Sequence, residues 1–475
     1  MIWKTAWKNV WRNKVRSLVV IISVTIGIFG GVFAVAVMNG AIQQRVDAAL
    51  NEEISHIHIN NPSFRDNYDI RLFLPDADSI EALCRQIPGI EAVTQRVILT
   101  GMANSARKST GVQIVGIDPD REKQVFGLHR RTMEGTGDFF ETESRYNLAF
   151  IGHALAKDLN IVRYLIDQST IDRLKDRGLP EETAEKLIPF IGFRFSGEKD
   201  FNNEMKQCLS LNEQTSYGRL IKEEAWTFRE RSRMTLTFLD ANQMQTGAVF
   251  RIAGIYDVKN NAFESGQVFV RNEDLRRLTG LTGHQVHQMV IRIADLDRTD
   301  EISGLLSQKL PGLEVMNWKE IQPDLAMMTG LVQQFYLVFM IIILAALAFG
   351  IVNTMLMVVL ERTRELGMLA AIGMNKKRVF SMIMLESVFL SLVGGVVGMI
   401  FSRILILMTA RNGINFSNYE EGFEAMGYSS HIYPVISTGF FIMVTILIIL
   451  TGILSAVYPA LKALKLDPAE ALRTE

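Results

Sequence analysis

The chain has 475 residues, of which 48% are hydrophobic and 21% charged, with a formal net charge of −1. That balance gives no global basic field, so no nucleic-acid partner is expected. The apolar share is high for a soluble domain, which places apolar residues in continuous spans.

Residues 1–16 carry Trp3, Trp7 and Trp11 at every fourth position, joined by Ile2, Ala6 and Val10 and flanked by Lys4, Lys8 and Arg12. This pattern predicts an amphipathic helix in the cytoplasmic headgroup layer, with indoles at the interface and cations towards anionic membrane lipid. Spanning helices need about 20 apolar residues. They are predicted over 17–40, 331–360, 379–408 and 435–458. Ala34-Val35-Ala36 resembles a signal cleavage site, but it lies inside an apolar run longer than a signal core. An uncleaved anchor is therefore expected.

Orientation follows from basic residues. Lys4, Lys8, Arg12, Lys14 and Arg16 precede the first span, while Arg362, Arg364, Lys376, Lys377 and Arg378 separate the second from the third. Lys462, Lys465 and Arg473 follow the fourth, whereas the loop 409–434 sets Arg411 against Glu420, Glu421 and Glu424. Both termini (1–16 and 459–475) and the loop 361–378 are expected inside, with 41–330 and 409–434 outside.

The outer segment opens with a stalk over 41–52 and a strand over 54–59. His56 and His58 share one face of that strand, and without a third ligand a solvated face is expected rather than a metal site. Strands follow over 92–102, 111–117, 234–239, 249–256, 267–270 and 289–293. Helices are predicted over 79–86, 154–159, 273–279 and 301–308, giving a mixed α and β domain. The highly charged stretch 163–233 stands out as an insertion, with helices over 169–177 and 181–188 and an uneven loop after Gly197. Cys84 and Cys208 could pair in an oxidising compartment, and nothing local decides it. No catalytic motif and no G-x-x-x-x-G-K-[ST] phosphate loop occurs in this sequence, so no enzyme is indicated.

The loop after the second span begins ERTRELGMLAAIGMNKKR, from Glu361 to Arg378. Glu361, Arg362, Arg364 and Glu365 suit the rim of a groove. Leu366, Met368, Leu369 and Ile372 offer an apolar face to bury in it. Gly367 and Gly373 allow close approach or a helix end. This segment closely resembles the E-R-x-x-E-[IL]-G-x-x-x-A-[IL]-G coupling helix of the MacB/FtsX/LolC superfamily of ABC exporter permeases. The opening WKNVWRNKVRS (7–17) and the ending YPALKALKLDPAEALR (458–473) resemble that superfamily too. HIHINNPSF, GVQIVGIDP, AFIGHALAKDLNI and FRIAGIYDVKNNAFESGQVFV look most like its lipoprotein-release branch, LolC and LolE. The insertion departs from the pattern.

The resemblance implies a polytopic α-helical membrane protein with four transmembrane helices, N-in/C-in, and a large α+β extracytoplasmic domain between helices 1 and 2. It further implies a bacterial inner membrane and a second permease subunit, the same or different. A separate ABC ATPase subunit would carry ATP and Mg, with no cofactor in this chain. The implied work is mechanotransmission, releasing lipoproteins to a periplasmic carrier. The alternatives are MacB-like efflux through a periplasmic adaptor and an FtsX-like scaffold controlling a cell-wall hydrolase.

Two intramembrane features remain. Glu386, about eight residues into the third span, is costly in lipid and is expected to face protein or water. Gly27-xxx-Gly31 and Gly394-xxx-Gly398 offer surfaces for close helix packing, within the chain or in a dimer.

Overall fold

The structure, a computed structural model, describes residues 2–106, 108–140, 144–195, 198–228, 232–283, 285–372 and 374–464. The chain divides into two compact units. A helical unit takes the chain up to Arg45, Asp324–Glu420 and the part from Ser429 onward; an outer unit takes Val46–Pro323 and Glu421–Tyr428.

The helical unit is built from α1 (Ile2–Arg12), α2 (Lys14–Ala48), α3 (Pro323–Glu361), α4 (Thr363–Ala371), α5 (Lys376–Asn412) and α6 (Thr438–Leu464). Four of these, α2, α3, α5 and α6, are long and apolar enough to cross a membrane. The first three outrun the predicted apolar stretches at both ends, and α6 starts three residues later than predicted but runs six further, because helix propagation continues past the lipid-compatible core. Small residues bring them together. A Cβ on Gly398 would lie 2.7 Å from the Thr25 carbonyl oxygen of α2, and one on Gly394 2.9 Å from that of Ile21. Gly27 and Gly31 receive Leu347 and Ile343 of α3 in the same way. Both glycine pairs thus serve packing inside one chain. Hydroxyls add cross-helix hydrogen bonds, as membrane interiors favour: Thr25 Oγ1 donates to the Gly394 carbonyl at 3.0 Å, Ser402 Oγ to that of Phe29 at 3.1 Å, and Ser387 Oγ to that of Gly452 at 3.0 Å.

The outer unit contains β1 (Ile57–Asn60), β2 (Ile90–Asn104), β3 (Ser109–Ile117), β4 (Leu148–Gly152), β5 (Val162–Leu165), β6 (Arg194–Phe195), β7 (Trp226–Phe228), β8 (Arg233–Leu239), β9 (Gln245–Tyr256), β10 (Gln267–Arg271), β11 (Gln288–Ile293) and β12 (Glu314–Asn317). An antiparallel sheet runs β12-β1-β11-β2. The helices Ala77–Arg85 and Thr299–Lys309 connect β1 to β2 and β11 to β12. This is a split βαβ arrangement, a compact way to bury one face of a sheet beneath two helices. Beyond Arg96, β2 continues into a second sheet, where Val97 pairs with Gly116 of β3 and Gly101 with Phe238 of β8. The circuit β2-β3-β10-β4-β9-β8 closes on itself as a six-stranded barrel. One core fills both sheets, with Ile57, Val93 and Ile291 from the first and Leu99, Ile151 and Val268 from the second.

Three expectations need correction here. His56 and His58 are buried rather than solvated, because β1 is covered by β11 on one edge and β12 on the other. His58 Nε2 lies 2.5 Å from the Ile54 carbonyl oxygen and Nδ1 lies 3.1 Å from Gln288 Nε2, an arrangement that suits a neutral ring. No metal-binding group of three ligands occurs among the described residues. The stretch after Gly197 is not an uneven loop but the helices Glu198–Cys208 and Leu211–Ala225, the second opened by a Ser210/Glu213 capping box. Finally, the helix predicted over 181–188 stops at Glu185, with Pro189 inside a following 3₁₀ turn. The question of Cys84 and Cys208 is also answered. Both are free, Cys84 in the core of the two sheets and Cys208 beside that of the insertion.

The insertion has its own small sheet, β6-β5-β7, and its own core of Tyr164, Leu174, Phe195, Phe201 and Ile221. A short helix, Glu420–Ala425, is tied to the barrel edge by Glu424, whose Oε1 lies 2.9 Å from Lys259 Nζ.

Candidate functional site

Helix α3 ends at Glu361 and α4 begins at Thr363, so the two helices meet at Arg362. Hydrogen bonds from Arg362 N to the Val358 carbonyl (3.1 Å) and from Leu366 N to the Arg362 carbonyl (2.9 Å) carry helical bonding across that joint. The predicted coupling residues that are described run from Glu361, just before the joint, to Ile372 beyond it, but they divide by environment. Leu366 and Gly367 are buried against the chain's own helices, whereas Arg364, Met368 and Ile372 point outward. Ile372 is 83% exposed and Met368 50%, against 6% for Leu366. Leu369 is half-buried between the two faces. Gly373 lies outside the described residues. The single apolar face read from sequence is therefore two, one spent internally and one left open.

The charged residues are tied inward as well. Glu365 accepts from both guanidinium arms of Arg12 at the end of α1, and Glu361 from both arms of Arg16 in the first turn of α2. Arg362 donates from Nε to Glu365 Oε2 at 3.0 Å and from Nη1 to Glu386 Oε1 at 3.0 Å. The side-chain hydrogen bond from Arg12 holds the Glu365 carboxyl down at about 2, and that from Arg16 holds Glu361 below the ordinary carboxylate range. Glu386 belongs to this chain of contacts. Ten residues along α5 from Lys376, it stands level with the last residue of α3 rather than beside the middle of that helix. Protein neighbours, not lipid, satisfy it.

Helix α1 lies along α5. Ala6 and Val10 are its buried face, and Trp3 and Trp7 set their rings edge-on to Phe389 at 5.6 and 5.5 Å. Trp3, Trp7 and Trp11 all keep an exposed flank. The tryptophans thus combine a packing contact with an open aromatic surface, as interfacial indoles do. Between α1, α2, α3 and α5 lies a cleft of about 340 Å³, walled by Asn9, Asn13, Ser17, Thr354, Val358 and Leu390. Sequence reasoning assigned Arg12 and Arg16 to lipid or orientation alone and missed their carboxylate partners. No local signal marks ion pairs between residues 353 and 345 positions apart.

Two protein-family models match the chain: the FtsX-like permease C-terminal region at 337–468 and the MacB-like periplasmic core domain at 17–169. An uncharacterized ABC transporter permease of Methanocaldococcus jannaschii is 26% identical over 234 residues, 48% of this chain and 55% of that one. The lipoprotein-releasing system transmembrane protein LolC of Xylella fastidiosa is 22% identical over 236 residues, again 48% and 55%. The macrolide export ATP-binding/permease protein MacB of Chlorobium luteolum is 36% identical over 126 residues, 26% of this chain and 16% of that protein. Among solved structures, the extracellular domain of the noncanonic ABC-type transporter YknZ from Gram-positive bacteria aligns at 12% identity and a TM-score of 0.29, over 55% of this chain and 99% of that one. The chain spans about half the length of the first two relatives. The two matched models fall on α2 with the first part of the outer unit and on α3 to α6, so in both regions the chain is similar to ABC transporter permeases of the MacB/FtsX/LolC superfamily.

Proposed function

We propose that this permease couples ATP hydrolysis by a separate ABC ATPase, loaded with ATP and Mg, to mechanical work by its outer unit. The work is release of lipoproteins from the bacterial inner membrane to a periplasmic carrier. The observation that carries the coupling reading is the open face of α4. Arg364, Met368 and Ile372 project from a short helix whose other face is already buried, the form of a helix that seats in a groove. The lipoprotein assignment is supported by the match to LolC across nearly half of the chain. A MacB-like efflux role has its own support in the match to the periplasmic core model and in higher identity over a shorter stretch. A second permease subunit, the same or different, completes the machine in either case.

The test is affinity purification from native membranes in mild detergent, followed by mass spectrometry. Met368→Ser and Ile372→Ser are expected to lose a co-purifying P-loop ATPase while the permease itself is recovered at the level of the unaltered chain. Leu366→Ala instead lowers recovery, since emptying a buried leucine site costs about 2–5 kcal/mol. Lipoproteins in the eluate support release, and a periplasmic adaptor supports efflux. An ATPase absent from the unaltered protein, or unmoved by both substitutions, defeats the coupling reading.

A further inference from the structure

We infer that α1 is a clamp on the coupling helix, and that Arg12 and Arg16 are positioning residues which make α4 swing together with the amino-terminal helix. The inference rests on reading α4 as the ATPase seat. Two helix joints face each other in the helical unit: α1 meets α2 at Asn13, and α3 meets α4 at Arg362. Each joint is bridged to the other on both of its sides. Arg12 before the first joint grips Glu365 beyond the second, and Arg16 beyond the first grips Glu361 before the second. A bend at one joint therefore cannot occur alone while both grips hold.

The chemistry of the grips suits this role. Each is a two-armed guanidinium–carboxylate contact, which fixes a plane as well as a distance; a lysine in the same place would fix only a distance. Arg362 sits at the second joint itself and extends the line to Glu386, so α5 is held in the same register. Room for movement is present. The cleft beside the grips has a volume of about 340 Å³, and its walls include residues of both joints. The grips themselves are partly open to solvent, with side-chain exposures of 56% and 36% for Arg12 and Glu365. Ion pairs of that kind add little to folding, so their consequence lies in orientation.

The experiment uses the full chain in lipid nanodiscs, first without any ATPase. Spin labels go on Lys8→Cys and Arg364→Cys in a Cys84→Ala, Cys208→Ser background, and the distance between α1 and α4 is read. One narrow distribution is expected. Arg12→Glu and Glu365→Arg should each broaden it, and the two together should restore it. The same three unlabelled variants are then assembled with the ATPase. Arg12→Glu, which lies on α1 and outside the coupling segment, should keep the ATPase bound, with hydrolysis within about twofold of the unaltered complex. Both single reversals should lose ATP-dependent protection of the outer unit from protease, and the double reversal should regain it. A distance distribution unmoved by single reversal, or a double reversal that restores neither readout, overturns the clamp. A clamp that behaves as described in a chain that retains no ATPase overturns the reading of α4 instead, and with it the positioning role.

Discussion

Leu366 and Ile372 are both apolar, stand six positions apart near one helix, and have opposite surroundings. The motif that contains them was legible because its information is local: a charged pair, then leucine, glycine and isoleucine at helical spacing. Which leucine turns inward was not legible, because that depends on helices drawn from distant parts of the chain. His58 makes the same point from the outer unit. Alternation suggested a wet strand face, but two neighbouring strands and Gln288 enclose the ring. Burial depresses His58 to about 3, and likewise His56 and His287 to about 4. A ring kept neutral in the folded chain titrates first in the unfolded one, near 6.5. The stabilisation it supports is therefore complete above pH 6.5 and is withdrawn as pH falls towards 4. Glu264 acts in the opposite sense. Burial raises it to about 7, so the fold gains from its protonation as pH falls from 7 to 4.5. A local measurement separates the two. Hydrogen exchange at β1 and β11, corrected for the intrinsic rate, is expected to quicken steadily from pH 6.5 to 4, and constant protection would contradict the assignment of these rings as buried and neutral.

At the scale of elements, the four spanning helices were the easiest reading, since a run of about 20 apolar residues has few other uses. Most outer strands were also found within a few residues of their ends. The misses have particular causes. Leu148–Gly152 is buried throughout, and a short apolar run without alternation is ambiguous between strand and helix. The helices after Gly197 carry a sparse signal, Phe201, Met205 and Leu209 at intervals of four, amid many charges. That inserted module is nevertheless self-contained. Its entry and exit strands, β5 and β7, are neighbours, with Tyr164 opposite Trp226. Replacing 165–225 by a two-residue Asn-Gly turn should therefore join them as a hairpin. Because the module's core is its own, the rest of the outer unit is expected to unfold at the unaltered temperature. A large drop would mean that the insertion supports the barrel.

At the scale of the whole molecule, the matched regions end at residue 169 and resume at 337, so most of the insertion falls between them, in keeping with its departure from the superfamily pattern. The barrel was beyond sequence reasoning because closure depends on β2 meeting β8, more than a hundred residues further along, and no local pattern specifies such a meeting. The same strand has a testable signature. Its two halves belong to different sheets, so if they form one cooperative unit, amides at 93–96 and 98–103 should exchange with a single opening free energy. Two distinct values would divide the outer unit into separately opening parts. There is a mechanical side to this shared strand. Where two sheets merely abut, load crosses between them through side chains that can slide; here it runs along an unbroken polypeptide backbone from one sheet into the other. The outer unit has a tie rod through its middle, and a tug on either sheet arrives at the other undiminished by slack.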